Sequence, residues 1–199
     1  MSKGFKFVQL LLRGFLNTLY DVKVVGLENM PKEGGVLVCA NHLSALDPIL
    51  MGAFVDRHLH FMAKHELFKN YFLAKLIRSL GGFPVNRESV EITSLKHALG
   101  LLKDGKAMGI FAQGGREVAV VNEDDGKAGV AMFAVRGVVP VVPVGIVGSF
   151  RPFTRIMLNM GEPIYFEEHM GKKVKSAELS VLTKQIMVEV KKLAETDIV

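Results

Sequence analysis

The 199 residues carry 25 Lys and Arg against 20 Asp and Glu, a net charge of +5, and 49% of them are hydrophobic. That length and apolar content fit one well-packed domain, with no composition break to mark a second. The single cysteine, Cys39, excludes an intramolecular disulfide; set in the apolar run GGVLVCA, it reads as a buried structural thiol in a reducing compartment rather than a nucleophile.

The chain opens with GFKFVQLLLRGFLNTLY, where Lys6, Gln9, Arg13 and Asn17 recur at steps of three, four and four and apolar residues fill the rest of the turn. The spacing predicts a basic amphipathic helix, because residues 1–20 hold Lys3, Lys6 and Arg13 and no acid. No apolar run approaches the roughly 18 residues of a membrane span, and charge interrupts the apolar region of any signal peptide. Two readings stay open from this segment: packing on its own domain, or lying in the headgroup region of a bilayer. Nucleic acid fits less well, since no aromatic stacking platform is interleaved with the basic residues.

Strand-like runs rich in Val, Ile and Phe follow at 22–25, 36–40, 59–63, 83–85, 107–111, 138–146 and 155–160. Helical patterns lie between and after them, at 48–55, 66–80, 90–103, 127–136 and 177–194. Strands alternating with helices predict an α/β domain with a mainly parallel β-sheet covered by helices, preceded by the N-terminal amphipathic helix. Nearly continuous apolar strands agree, because parallel strands are covered on both faces. Residues 113–126 interrupt both periodicities and predict a loop after the strand ending at Phe111, at the sheet edge where ligands bind in open α/β folds.

NHLSALD, residues 41–47, follows the buried strand VLVCA. On one helix His42 and Asp47 would stand roughly 140° apart and never meet. If His42 instead lies in the turn after the strand, with Asp47 capping the next helix and Pro48 at its first position, the chain doubles back and brings them together. A carboxylate on one imidazole nitrogen fixes the tautomer and leaves the other nitrogen to take a proton from a hydroxyl. Ser44 lacks a G-x-S-x-G elbow and, two residues from its base, has little freedom to align, which leaves two readings open: Ser44 as nucleophile, or a hydroxyl that belongs to a substrate. A metal site is unsupported: His58, His60 and His65 form no H-E-x-x-H and no third ligand has suitable spacing, so these are read as exposed histidines.

Two turns add weight. GGFPVNRE puts Arg87 after a short strand, and IFAQGGRE puts Arg116 after another, with Gly114 and Gly115 beside it. Paired glycines let backbone N–H groups approach an anion, and guanidinium forks bind phosphate oxygens in bidentate fashion. Together they point to a phosphate-bearing substrate.

At this point the chain resembles the glycerophospholipid acyltransferases, and among them the small bacterial 1-acyl-glycerol-3-phosphate acyltransferases. Four family blocks stand in order: NHLSALD at 41–47, GGFPVNRE at 81–88, FAQGGRE at 111–117 and VVPVVPVGI at 138–146. The resemblance implies an acyl thioester donor, acyl-CoA or acyl carrier protein, with a lysophospholipid acceptor and no cofactor or metal. It implies His42 as general base held by Asp47, with Asn41, Arg87, Gln113, Gly114, Gly115 and Arg116 as substrate contacts. Pro140 and Pro143 become acyl-site candidates, and Lys64 in FMAKHELF becomes the candidate for stabilising the oxyanion.

The third block departs from the family pattern F-P-E-G-T-R, with Ala112, Gln113 and Gly115 in place of its Pro, Glu and Thr. This leaves other readings beside 1-acyl-glycerol-3-phosphate: another lysophospholipid or glycerol-3-phosphate as acceptor, a hydrolase using Ser44, or a catalytically silent lipid binder. Because such acceptors live in the bilayer, the resemblance favours an interface helix over 1–20 and an acyltransferase domain over 21–199. Lys3, Lys6 and Arg13 would then attract anionic headgroups at the cytoplasmic face of the cell membrane.

Overall fold

The sheet is organised around β2 (Val36–Ala40), five apolar residues that are all inaccessible to solvent. A strand buried on both faces needs cover on both sides, and its alternate residues divide accordingly: Val36, Val38 and Ala40 enter one core cluster, Leu37 and Cys39 the other. The computed structural model describes residues 3–85, 92–113, 121–124, 126, 127 and 129–196.

In chain order the elements are α1 (Lys3–Leu19), β1 (Tyr20–Val25), β2, α2 (Asp47–Phe54), β3 (Leu59–Lys64), α3 (Tyr71–Ser79), β4 (Gly82–Val85), α4 (Ile92–Lys103), β5 (Ala107–Phe111), α5 (Gly129–Gly137), β6 (Val141–Gly148), β7 (Thr154–Met160) and α6 (Ser176–Ala194). The described residues form a seven-stranded sheet of order β1-β7-β6-β2-β5-β3-β4. Every neighbouring pair is parallel except β6 and β7, which form a hairpin. The architecture is thus the α/β one read from the sequence, with one reversal.

Helices α4, α5 and α6 cover one face, and α1 and α2 pack on the other. Helix α3 joins α1 and α2: Phe83 and Val85 belong to the α4 side, so Gly82 faces the opposite way, where it closes against Ile77 of α3. Cys39 sits deep in the α4–α6 side, and burial pushes its thiol up to about 12, which keeps it protonated and unreactive.

Most boundaries shift from the sequence reading by a residue or two, and three of the departures have a plain cause. The helix expected over 66–80 divides into a 3-10 turn, His65–Phe68, and α3, because Asn70 caps α3 by accepting the Leu73 N–H at 3.0 Å. Strand β6 begins at Val141 rather than Val138, since Pro140 has no N–H to pair and Val138 takes a left-handed φ of 57°. The helix expected from Val90 is described from Ile92, its first two residues lying outside the described residues.

Helix α1 contradicts the expected use of its polar stripe. Gln9 is buried and donates to the carbonyls of Gly52 and Val55 at 3.0 and 2.8 Å. Arg13 donates to the carbonyls of Ala53 and Phe54 and pairs with Asp56 at 2.8 Å. These carbonyls lie at the end of α2, where a helix leaves its last acceptors without intrahelical donors. Arg13 is therefore turned to the domain and is not free for headgroups. Phe5 and Leu16 anchor the same side, while Phe7, Leu10, Leu11 and Phe15 are 58–68% exposed on the other. No helix among the described residues is long and apolar enough to cross a membrane.

Candidate active site

The site forms where β2 ends beside β5. Register pairs Ala40 with Phe111, so the residues after each strand, Asn41 with His42 and Ala112 with Gln113, leave the sheet side by side. The Ala112 N–H donates to the Ala40 carbonyl at 3.2 Å, which carries the pairing just past the strand ends.

His42 Nδ1 lies 2.7 Å from Asp47 Oδ2, with His42 8% exposed and the aspartate fully buried. The same carboxylate oxygen accepts the N–H groups of Leu43 and Ser44 at 2.7 and 2.8 Å. Asp47 thus closes the 41–47 turn on itself. This corrects the expected cap: Asp47 is the first residue of α2, and its side chain points back at the turn that precedes it, where two amides and the imidazole converge.

An ionised carboxylate only accepts, so Nδ1 carries the ring proton and Nε2 presents a lone pair. The ring is held flat by Phe111, stacked at 4.0 Å and 17°, and Phe61 lies behind Phe111 at 6.0 Å. Sequence reasoning passed over this aromatic support; the parallel alignment of the two strand ends was the available signal.

Gln113, expected as a substrate contact, lies beside the pair with its Oε1 accepting the His42 backbone N–H at 3.3 Å. Its Nε2 is buried without a partner among the described residues, as is Asp47 Oδ1. Asn41 departs from the expectation of a substrate contact: its amide both donates to and accepts from the backbone of Ile146, at 2.9 and 2.7 Å, and is 2% exposed. Ser44 accepts the Leu46 N–H at 3.2 Å through its hydroxyl oxygen, an arrangement internal to the turn.

Lys64 stands exposed at the end of β3. With β5 intervening, on the order of 10 Å of sheet separates its backbone from β2. Pro143 is a buried β6 residue opposite Cys39, and Pro140 precedes β6 at the sheet edge remote from His42. The structure does not bring Pro140 to the site; its carbonyl accepts the Leu37 N–H at 3.0 Å. Pro143 accepts the Gly161 N–H at 2.9 Å just beyond β7, where its own missing donor coincides with the end of that ladder. Arg87, Gly114, Gly115 and Arg116 lie outside the described residues. His58 and His60, read as exposed, are half-buried with their rings stacked at 4.7 Å, because Phe5 of α1 covers His58.

A buried His–Asp pair at a sheet edge, with one imidazole nitrogen available, is equipped to deprotonate a substrate hydroxyl. Comparison with known proteins agrees in kind. Residues 21–147 match the family model described as Acyltransferase. A 1-acyl-sn-glycerol-3-phosphate acyltransferase of Bacillus subtilis is 31% identical over 186 residues, covering 88% of this chain and 91% of the relative. One from Streptococcus pneumoniae is 29% identical and covers 80% of this chain, but the match spans only 60% of that relative's length. The crystal structure of the 1-acyl-sn-glycerophosphate (LPA) acyltransferase PlsC from Thermotoga maritima superposes with a TM-score of 0.75 at 28% identity, over 98% of this chain and 83% of that one. With the matched segment running through the His42–Asp47 turn and into β6, this chain belongs to the acyltransferase family, among the glycerophospholipid acyltransferases.

Proposed function

We propose that this protein transfers a fatty acyl group from an acyl thioester to the free hydroxyl of 1-acyl-glycerol-3-phosphate, yielding phosphatidate. The observation that carries the reading is the 2.7 Å contact of His42 Nδ1 with buried Asp47, which leaves Nε2 as a proton acceptor at the site edge. The activity named for the Bacillus relative and for the Thermotoga structure supports the substrate class.

In the proposed step, His42 Nε2 takes the acceptor's hydroxyl proton as that oxygen attacks the thioester carbonyl carbon. The carbonyl electron pair moves to oxygen, giving a tetrahedral oxyanion that a cation or N–H donor must stabilise. Lys64 is the cation we assign to it. Collapse restores the carbonyl and breaks the C–S bond, and the imidazolium returns its proton to the departing thiolate. Asp47 holds the tautomer throughout, and no step calls on a cofactor or metal. Arg87 and Arg116, with Gly114 and Gly115, are proposed to hold the acceptor phosphate, and the donor is acyl-CoA or acyl carrier protein.

We further propose that residues 1–20 seat the 21–199 domain on the cytoplasmic face of the cell membrane, in a peripheral mode. The exposed side of α1, with Phe7, Leu10, Leu11 and Phe15, supplies apolar burial, and Lys6 is exposed beside it. Because Phe5, Gln9, Arg13 and Leu16 also pack on the domain, substitution of the outer face tests this better than truncation.

Thiol release from palmitoyl-CoA, with and without micellar lysophosphatidate, tests the reaction. Release requires both acceptor and His42, and His42→Ala lowers it by about 10²–10⁴. Acceptor-independent release that survives in His42→Ala would falsify transfer. A second acceptor is favoured by one feature, the unpartnered Gln113 Nε2, which presents an N–H donor where the family pattern has a carboxylate. Rates with other lysophospholipids and with glycerol-3-phosphate, compared for wild type and Gln113→Glu, separate the two.

A further inference from the structure

Helix α3 and the turn before it carry an apolar surface that the domain does not use. Phe72 is 80% exposed and Tyr71 72%, with Leu76, Leu67 and Leu73 at 46%, 43% and 40%. At roughly 100° per residue, Phe72 and Leu76 share the outward side of the helix, opposite buried Ala74. Ile77 faces the sheet at Gly82, so the outward side is the one turned away from the core. Five large apolar side chains exposed within ten residues form a patch of the kind that marks an interaction surface.

The border of the patch selects its occupant. Lys69, Lys75 and Arg78 are all exposed, Arg78 lying over the Phe68 ring at 5.0 Å, and Glu66 is the only acid between Lys64 and Leu80. An apolar ridge edged by cations suits an anionic bilayer, with rings and leucines in the acyl boundary and ammonium groups at the phosphates. Placement argues the same way. Helix α3 lies on the sheet face that carries α1, and the two converge on His58, which the Phe5 ring meets at 4.0 Å and against which Gly81 closes directly after α3. The exposed apolar side of α1 thus has a neighbour of the same character in the same layer.

We infer that the outward face of α3, centred on Phe72 and Leu76, is a second bilayer-docking surface that seats on anionic phospholipid alongside α1. The inference rests on the proposed bilayer seating of α1 and extends it. A single interfacial helix leaves the protein free to roll about that helix; a second, non-collinear contact fixes a plane. The turn His65–Phe68, which carries Leu67 of the patch, follows the end of β3, the sheet edge at which His42 lies, and leads into α3, so the fixed plane sets the height of the site over the lipid.

The test uses the full chain as wild type, Phe72→Ser/Leu76→Ser and Phe7→Ser/Leu11→Ser. Each is co-sedimented with phosphatidylcholine vesicles containing about 30% phosphatidylglycerol, and thiol release with micellar lysophosphatidate is read in parallel. The α3 variant is expected to bind vesicles about tenfold more weakly or worse, with micellar thiol release retained. Lys75→Glu, which removes no apolar surface, is expected to weaken binding several-fold at about 0.1 M salt and little at about 1 M. Wild-type vesicle affinity in both α3 variants, with loss only in the α1 variant, overturns the inference and leaves the seating of α1 standing. Unchanged affinity in every variant overturns both. Normal vesicle binding with turnover lost only when acyl carrier protein is the donor would assign the surface to that acidic protein instead, and also overturns it.

Discussion

Asn41 and Ile146 close a reciprocal pair of hydrogen bonds, Asn41 Nδ2 to the Ile146 carbonyl at 2.9 Å and the Ile146 N–H to Asn41 Oδ1 at 2.7 Å. The amide side chain stands in for one more ladder residue between β2 and β6, which frees the main chain of Asn41 to turn toward His42. Asn41→Ala leaves two buried backbone groups of Ile146 unsatisfied, at about 1–3 kcal/mol each. Asn41→Asp keeps one bond but sets a carboxylate oxygen against the Ile146 carbonyl. Both variants are expected to lower the urea midpoint and turnover together; a variant with full stability and full turnover would show the latch to be dispensable.

Asp47→Asn separates the two duties of the carboxylate. An asparagine oxygen placed where Oδ2 lies still accepts from Leu43, Ser44 and the imidazole Nδ1–H, so the turn persists, but a neutral amide no longer stabilises the imidazolium that forms when Nε2 takes a proton. Turnover is expected to fall by about 10³–10⁴ with a small change in melting temperature. The double variant with His42→Ala should be scarcely worse than either single one, since the pair acts as a unit. Fully additive losses in that cycle would break the assignment.

Gly109 lies mid-strand in β5, and a Cβ there would overlap the ring of Phe61. Phe61 stacks toward Phe111, and Phe111 supports the His42 ring. Gly109→Ala is therefore expected to cost about 1–3 kcal/mol by overpacking and, unlike an ordinary core change, to reduce kcat by tilting the base. Chemical denaturation and steady-state kinetics on one preparation check this; a stability loss with kcat unchanged would mean the strain does not travel along the stack.

Burial pushes the His58 imidazole down to about 4, with the positive charges of His60 and Lys106 acting in the same direction. Between the ordinary histidine value near 6.5 and about 4, the unfolded chain binds a proton that the native state refuses. Stability is consequently lost as pH falls through that window and is unaffected by this group above it. His60 is shifted downward as well, chiefly by burial, and adds in the same sense. Urea midpoints measured from pH 7.5 to 4.5 should drop less steeply in His58→Phe than in wild type; parallel curves would contradict the burial of this ring under Phe5.

Much of this molecule is legible in the one-dimensional pattern. VLVCA and AMGIF are strands over their full expected lengths, because a short continuous apolar run bounded by glycine or polar residues has few alternatives to a strand covered on both faces. The meeting of His42 with Asp47 follows from a strand end, a short turn and Asp-Pro at a helix start, all local features. Gln113 reaches His42 because two parallel strands end in register, a relation that the order of strands, not their sequence, creates.

What tertiary structure alone decided is where polar groups find partners. A helical wheel places Gln9 and Arg13 on one stripe of α1, but it cannot say whether that stripe meets water, lipid headgroups or the orphan carbonyls at the end of α2. The carbonyls win, since a buried acceptor without a donor is costly and a solvated cation gains little from the surface. The same rule engages Asn41 with Ile146, more than a hundred residues away in sequence. Sequence determined which segments fold and which side chains are candidates for the chemistry. The partners of those side chains are set by the unsatisfied hydrogen-bonding groups that distant elements bring alongside, and no local pattern encodes them.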